Sequence, residues 1–175
     1  MIVDQLDTDA QVQLGRGSYM PVLMRIMEMT AGPVFELGCG YVSTPYLHWA
    51  CFVSKRKLVT FENNPAWYAF ARRFSTDFHT AVFVEDWDKV DLSGECEVAF
   101  VDHAPNERRR HDIPRLAHAH YVVIHDTDDS KQRKYRFGRA IAGYKYQYKY
   151  KCTYGPATTV ASNLHDLRHF QMRVR

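Results

Sequence analysis

Two sets of residues in this 175-residue chain have the types and spacing to do chemistry. The first is Glu36-Leu37-Gly38-Cys39-Gly40, answered by Glu62-Asn63-Asn64-Pro65, with Glu62 placed 22 residues after Gly40. Glycines let the backbone approach a ligand closely, and a helix N-terminus behind them offers free N–H groups. An acid at the tip of the next strand can accept hydrogen bonds from both hydroxyls of a ribose. That combination suits a nucleoside cofactor. It does not suit a phosphate-clamping loop, because no Gly-Lys-Ser/Thr follows the glycines. The second set is Val101-Asp102-His103 and Ile124-His125-Asp126, two apolar runs that each end in an acid beside a histidine. Such a cluster can take a proton from an alcohol, or its two acids can hold a divalent cation through oxygen. The plainer alternative is that Asp126 caps the segment after it and His125 satisfies a backbone carbonyl.

These residues act together only if a frame brings the ends of separate strands side by side. Apolar runs over 33–37, 57–62, 81–84, 97–102 and 121–126 read as buried strands. Helical patterns lie between them: one from about Thr44 with Pro45 in its first turn, one over 65–74, and one over 108–118. Near-continuous apolar strands alternating with helices indicate a parallel sheet covered on both faces. A helix over 18–30 precedes the first strand, with Ser18 as its N-cap, Pro21 in its first turn and Gly32-Pro33 as its stop. Later, Tyr144, Tyr146, Tyr148 and Tyr150 alternate with Lys145, Gln147 and Lys149, the period of a strand with one aromatic face. Gly155-Pro156 marks a turn, and 157–162 reads as the returning strand. The predicted architecture is α/β: a Rossmann-like, seven-stranded, mostly parallel sheet with a C-terminal antiparallel hairpin and helices on both faces. It forms a single domain over 1–175, with 1–17 as an N-terminal extension.

Composition narrows the classes. An apolar content of 46% supports a sizeable core, and no apolar run approaches the ~20 residues needed to span a bilayer. The acidic start lacks the basic-then-apolar pattern of a signal peptide. Cys39, Cys51, Cys96 and Cys152 include no Cys-x-x-Cys pair, which argues against a zinc ribbon and fits the reduced thiols of a cytoplasm. Net charge is +3, but residues 131–151 hold eight Lys or Arg, six aromatics and no acid. That segment either attracts an anionic partner (phosphate, nucleic acid or an acidic sugar) or is a solvated face. Arg108, Arg109 and Arg110 pose the same choice; three cations at a helix start oppose its dipole, which an anion nearby would relieve.

In the order and spacing of these motifs the chain resembles the class I S-adenosylmethionine (SAM)-dependent methyltransferases, over roughly residues 20 to 163. The resemblance implies a SAM site at Glu36, Gly38 and Gly40, ribose binding by Glu62 and Asn63, an adenine contact at Asp86-Trp87 after strand three, and Asp102 beside the cofactor. Val101-Asp102-His103 and His125-Asp126-Thr127 are locally similar to the catechol O-methyltransferase type. That likeness implies Asp102 and Asp126 as Mg²⁺ ligands, Thr127 at the position of a third ligand, and His103 beside the cofactor. Pro105 stands where that type carries its Lys base. The segments Val101-Asp102-His103-Ala104-Pro105 and Ile124-His125-Asp126 are also similar to those of plant glucuronoxylan 4-O-methyltransferases. The expected activity is O-methylation of a polar or anionic small molecule or sugar, with Asp102, His103, His125 and Asp126 as catalytic residues. The alternative from another class is a non-catalytic nucleoside-binding domain that docks nucleic acid through 131–151.

Overall fold

The computed structural model describes residues 16–168 and Phe170, so the expected extension over 1–17 lies outside the description except for Arg16 and Gly17. Helix α1 (Met20–Met29) buries Val22, Leu23, Ile26 and Met27 along one stripe. Strand β1 (Val34–Leu37), helix α2 (Ser43–Ser54), strand β2 (Leu58–Glu62) and helix α3 (Pro65–Ala71) follow. Asn64 caps α3 by accepting the N–H groups of Ala66 and Trp67, and Pro65 supplies the preset first turn. Then come β3 (His79–Phe83), β4 (Val98–Val101), α4 (Arg109–Arg115), β5 (Tyr121–Ile124), α5 (Asp129–Tyr135), α6 (Gly138–Ala142), β6 (Tyr146–Tyr150) and β7 (Thr158–Ser162).

The strands form one seven-stranded sheet in the order β3-β2-β1-β4-β5-β7-β6. The first five are parallel, and β7 runs antiparallel between β5 and β6. The sheet predicted from the sequence is therefore the sheet observed. Alternate side chains of each central strand feed two cores. Val34, Val98, Phe100 and Val123 pack with α1 and α2, while Phe35, Leu37, Val101 and Ile124 pack with α4 and α6. The chain winds outward from β1 through β2 to β3, then returns to place β4 on the other side of β1. That reversal leaves a crevice above the carboxyl ends of β1 and β4, where open α/β sheets bind ligands.

Several element boundaries differ from expectation. Ser18 does not cap α1; the cap position belongs to Tyr19, which makes no side-chain cap bond. The helix expected over 108–118 is a 3-10 turn at Asn106–Arg108 leading into the seven-residue α4. Near Pro114 the backbone tightens to i−3 hydrogen bonds, Leu116 N–H to Ile113 and Ala117 N–H to Pro114, and the helix ends. The helix expected over 65–74 finishes in a 3-10 turn at Arg72–Phe74, and β3 begins two residues earlier than expected, at His79. The charge run 131–151 takes in most of α5 and all of α6, pinned by the buried side chains of Phe137 and Ile141. Helices of seven and five residues are too short to give a readable period. Tyr146, Tyr148 and Tyr150 pack their aromatic face against the α1-side core, while Tyr144 precedes the strand and donates its hydroxyl to Ile113 O at 2.6 Å.

Candidate active site

The crevice is built from strand ends. After β1 the backbone turns at Gly38, where φ is +88° and any Cβ would lie 2.5 Å from His103 Cα. Gly38 thus lets the turn after β1 press against the turn after β4. Gly40 lies further along, at the crevice wall, with its N–H on Thr44 Oγ1 at 3.0 Å. Glu62, at the end of β2, reaches across: Oε2 accepts the Cys39 N–H at 2.9 Å and Oε1 accepts the Asn64 N–H at 2.7 Å. The carboxylate that the sequence assigns to a ribose therefore sits at the glycine turn with lone pairs to spare. Beside it, Asn63 Oδ1 is buried with no hydrogen-bond partner among the described residues.

Glu36 lies beneath this surface, fully buried on the α2 side of the sheet. Thr60 Oγ1 donates to its Oε2 at 2.7 Å, and Thr44 Oγ1 is 3.0 Å from both its oxygens. Burial raises its pKa from 4.5 to about 7, against the hydrogen bonds of Ser43, Thr60 and Thr44. His79 Nε2 is 2.8 Å from the same Thr60 oxygen, and its Nδ1 is 3.1 Å from His48 Nδ1. Since Thr60 gives its proton to Glu36, His79 must be the donor to Thr60. A chain of polar groups thus runs under the sheet from His48 to the backbone of Gly40.

The crevice is also lined by Tyr19, Asp102, His125 and Asp126, with Tyr41 and Trp67 forming an aromatic wall at a ring separation of 4.5 Å. Its volume is about 350 Å³. Asp102 Oδ1 lies 2.9 Å from Arg109 Nη2 and 3.2 Å from His125 Nδ1. Burial alone would raise the Asp102 pKa, but the charges of His125 and Arg109 outweigh it and hold the carboxyl below its usual range. His125 Nε2 lies 3.0 Å from Ser18 Oγ, which donates its own proton to Pro156 O at 2.9 Å. His125 must therefore donate from Nε2 while its Nδ1 faces a carboxylate, an arrangement that fits the imidazolium. Burial opposes that charge, yet Asp102 and Asp126 raise the His125 pKa above 6.5.

Asp102, His125 and Asp126 offer ligand atoms within 4.8 Å of one another, the basis for a divalent ion there. The fit is poor because a cation is already built in. Arg109, only 2% exposed, lies with Nη2 on Asp102 and Nη1 3.6 Å from Asp126 Oδ2. Its remaining donors are held by His103 O at 2.8 Å, His125 O at 3.3 Å and Asn106 Oδ1 at 3.3 Å. Two acids already face a guanidinium and an imidazolium, and adding two more positive charges would meet uncompensated repulsion.

The remaining expected site residues lie elsewhere. His103 turns away from the crevice: its Nε2 is 3.0 Å from the buried Asp112 Oδ2, and its ring packs on Trp87 at 4.2 Å. Burial lowers its pKa despite that acid, so it is a neutral donor in a buried cluster. Arg108 and Arg115 supply the charges that offset Asp112. Asp86 caps the 3-10 turn Trp87–Lys89 and borders a separate hollow of about 580 Å³ at the end of β3, together with Phe61 and Val84. Trp87 is buried, with Nε1 unpartnered among the described residues. Pro105 carries no acid–base group; the ammonium reaching the acids is Lys131, 3.8 Å from Asp126 Oδ1. Sequence reasoning missed Tyr19, Tyr41 and Trp67 as crevice residues and Ser18 as the buried partner of His125. It placed Arg109 in an undifferentiated run, although the dipole conflict of that run was the signal for a nearby anion.

A doubly wound sheet with a polar crevice at its reversal point defines the Rossmann-like α/β class. Its strand order, with the antiparallel β7 inserted beside β5, is the fold of the class I SAM-dependent methyltransferases, as the sequence motifs implied. Solved structures agree. The chain is similar to the O-methyltransferase TomG from Streptomyces achromogenes, in complex with SAM, at 17% identity over 86% of this chain and 80% of that one, with a TM-score of 0.61. It is similar to an O-methyltransferase from Bacillus cereus in complex with SAH, at 13% identity over 84% and 80% of the two chains, TM-score 0.56. It is similar also to the N-terminal domain of human METTL16 in complex with SAH, at 10% identity over 84% and 70%, TM-score 0.61. No protein-family model and no curated protein sequence matches the chain. Among the described residues, no helix is long and apolar enough to cross a membrane.

Proposed function

We propose that this chain is a SAM-dependent methyltransferase acting on an oxygen of a polar, anionic small molecule or sugar. The observation that carries the reading is the shared crevice: the Cys39-Gly40 turn held by Glu62 opens onto the same space as Asp102, His125 and Asp126. The cofactor fits the groups present. Glu62 has free lone pairs for ribose hydroxyls, and Asn63 Oδ1, without a hydrogen-bond partner among the described residues, lies just past the end of β2. A crevice of about 350 Å³ with a neighbouring hollow falls within the usual range of small-molecule sites.

When bound, SAM supplies an electrophilic methyl group on a sulfonium. The protein's own work is to hold the acceptor oxygen in line and to receive its proton. Asp102 accepts the acceptor's O–H, and Arg109 and His125 keep that carboxylate charged and fixed. Asp102 would receive the acceptor's proton during methyl transfer. Asp126, less tightly paired, orients the acceptor. The four free cysteines suit the reducing cytoplasm in which we expect the protein to work.

The test is calorimetry with SAM. The wild-type protein should bind it, and Glu62→Ala should weaken binding by roughly 1.5–3 kcal/mol, the scale of hydrogen bonds to a charged group. Unchanged affinity in a folded Glu62→Ala protein would remove the nucleoside assignment.

A further inference from the structure

The three consecutive arginines after β4 separate in the fold. Arg108 is bound by Asp112 and Asp88, and Arg109 is buried at the crevice. Arg110 is exposed and points to a different place. With Arg133, Arg136 and Arg139 from around α5 and α6, and with His111 and Gln132, it lines an open cavity of about 660 Å³. None of these four guanidiniums pairs with an acid among the described residues; the hydrogen bond of Arg110 goes to His111. Four of the five lysines of the same basic stretch are engaged elsewhere. Lys131 reaches Asp126, Lys149 holds Asp129 at 2.6 Å, Lys134 sits 5.2 Å over the Tyr135 ring, and Lys145 sits 4.9 Å over Tyr146.

The cavity is also framed. Arg136 takes a left-handed backbone conformation, φ +57°, and its N–H closes α5 on Gln132 O at 2.9 Å. The Gln132 side chain is fixed in turn by its bond to Thr127 O at 2.9 Å. Four arginines from three helical segments therefore face one concavity, and no acid among the described residues forms an ion pair with them. Guanidinium forks suit the paired oxygens of phosphate and carboxylate, and one singly charged group would leave most of this charge unmet. Because four of the five lysines are occupied, the positive charge converges on a point and forms no continuous track for an extended strand.

We propose that this cavity binds a compact oxyanion carrying several charges, about the size of a di- or triphosphate group. The site lies outside the crevice and does not depend on methyl transfer. The test is calorimetry at low salt with inorganic tripolyphosphate, pyrophosphate, orthophosphate, citrate and a single-stranded oligonucleotide. Tripolyphosphate or citrate should bind at least about tenfold more tightly than orthophosphate, and the stronger of the two identifies phosphate or carboxylate as the source. Arg110→Gln, and separately Arg133→Gln with Arg139→Gln, should each weaken that binding about tenfold or more. These exposed substitutions should leave the anion-free melting temperature and SAM affinity unchanged, which separates loss of this site from loss of fold or of the cofactor reading. Equal affinity for orthophosphate, or undiminished binding in both variants, would overturn the proposal. So would an oligonucleotide that binds more tightly than the compact anions, with a salt slope corresponding to more than about four phosphates.

Discussion

Asp102 carries two loads at once: it faces the crevice and it is the hinge of a charge cluster with Arg109 and His125. Asp102→Asn keeps the size of the side chain and removes the charge. Turnover should fall by roughly a hundredfold or more while SAM affinity stays near normal, measured as SAH release with an acceptor found by screening hydroxylated acids. The pH profile separates two roles for His125. Its folded pKa is raised above 6.5, so the imidazolium persists beyond the ordinary histidine range and is lost as pH rises through the folded value. If the charged ring is what holds Asp102, kcat/KM should decline over that rise, whereas a neutral His125 base would make it climb. Arg109 leads to a further expectation. Since the guanidinium stands between the two acids, a chelator should leave turnover intact and added Mg²⁺ should leave the melting temperature unmoved. The motifs made Asp102, His125 and Glu62 legible in the sequence, because strand ends and acids share a spacing. Ser18 was not legible as a partner of His125, since a serine before a helix reads first as a cap, and only the fold reveals a neighbour 107 residues away.

At the scale of elements, the turns after β1 and β4 work as a pair. Gly38 has no room for a side chain and a backbone angle that L-residues avoid, and the obstructing atoms are His103 backbone rather than a movable side chain. Gly38→Ala should cost about 2 kcal/mol or more, a drop of roughly 4–8 °C in Tm for a chain of this size. An unchanged melt would mean that the two turns can separate freely. Strands were the legible elements: β1, β4 and β5 are buried at every position, so their apolar runs needed no period to be recognised. The acids after β4 and β5 fall one and two residues past the strand ends, in loops, because β4 ends at Val101 and β5 at Ile124. Helices α5 and α6 were obscured by their charge, and their anchors Phe137 and Ile141 are too few to draw a stripe.

For the whole molecule, the sequence disclosed the sheet but not how charge is distributed around it. Residues 131–151 read as one basic face, whereas the fold sends four of their five lysines to acids and rings and their arginines to a cavity shared with Arg110. Sequence reasoning cannot see such a division, because it depends on which helices meet. One link described above reaches across nearly the full described length. Ser18 touches both His125 and Pro156, positions 107 and 138 residues further along. On a ribosome the chain emerges from its N-terminus, and β1, β2 and β3 can pair while the later strands are still being made. The corner around Asp102 and His125 waits for the turn between β6 and β7. Every nascent chain therefore passes through a stage with the Glu62 edge assembled and the Asp102–His125 corner unfinished, until the turn between β6 and β7 has been made.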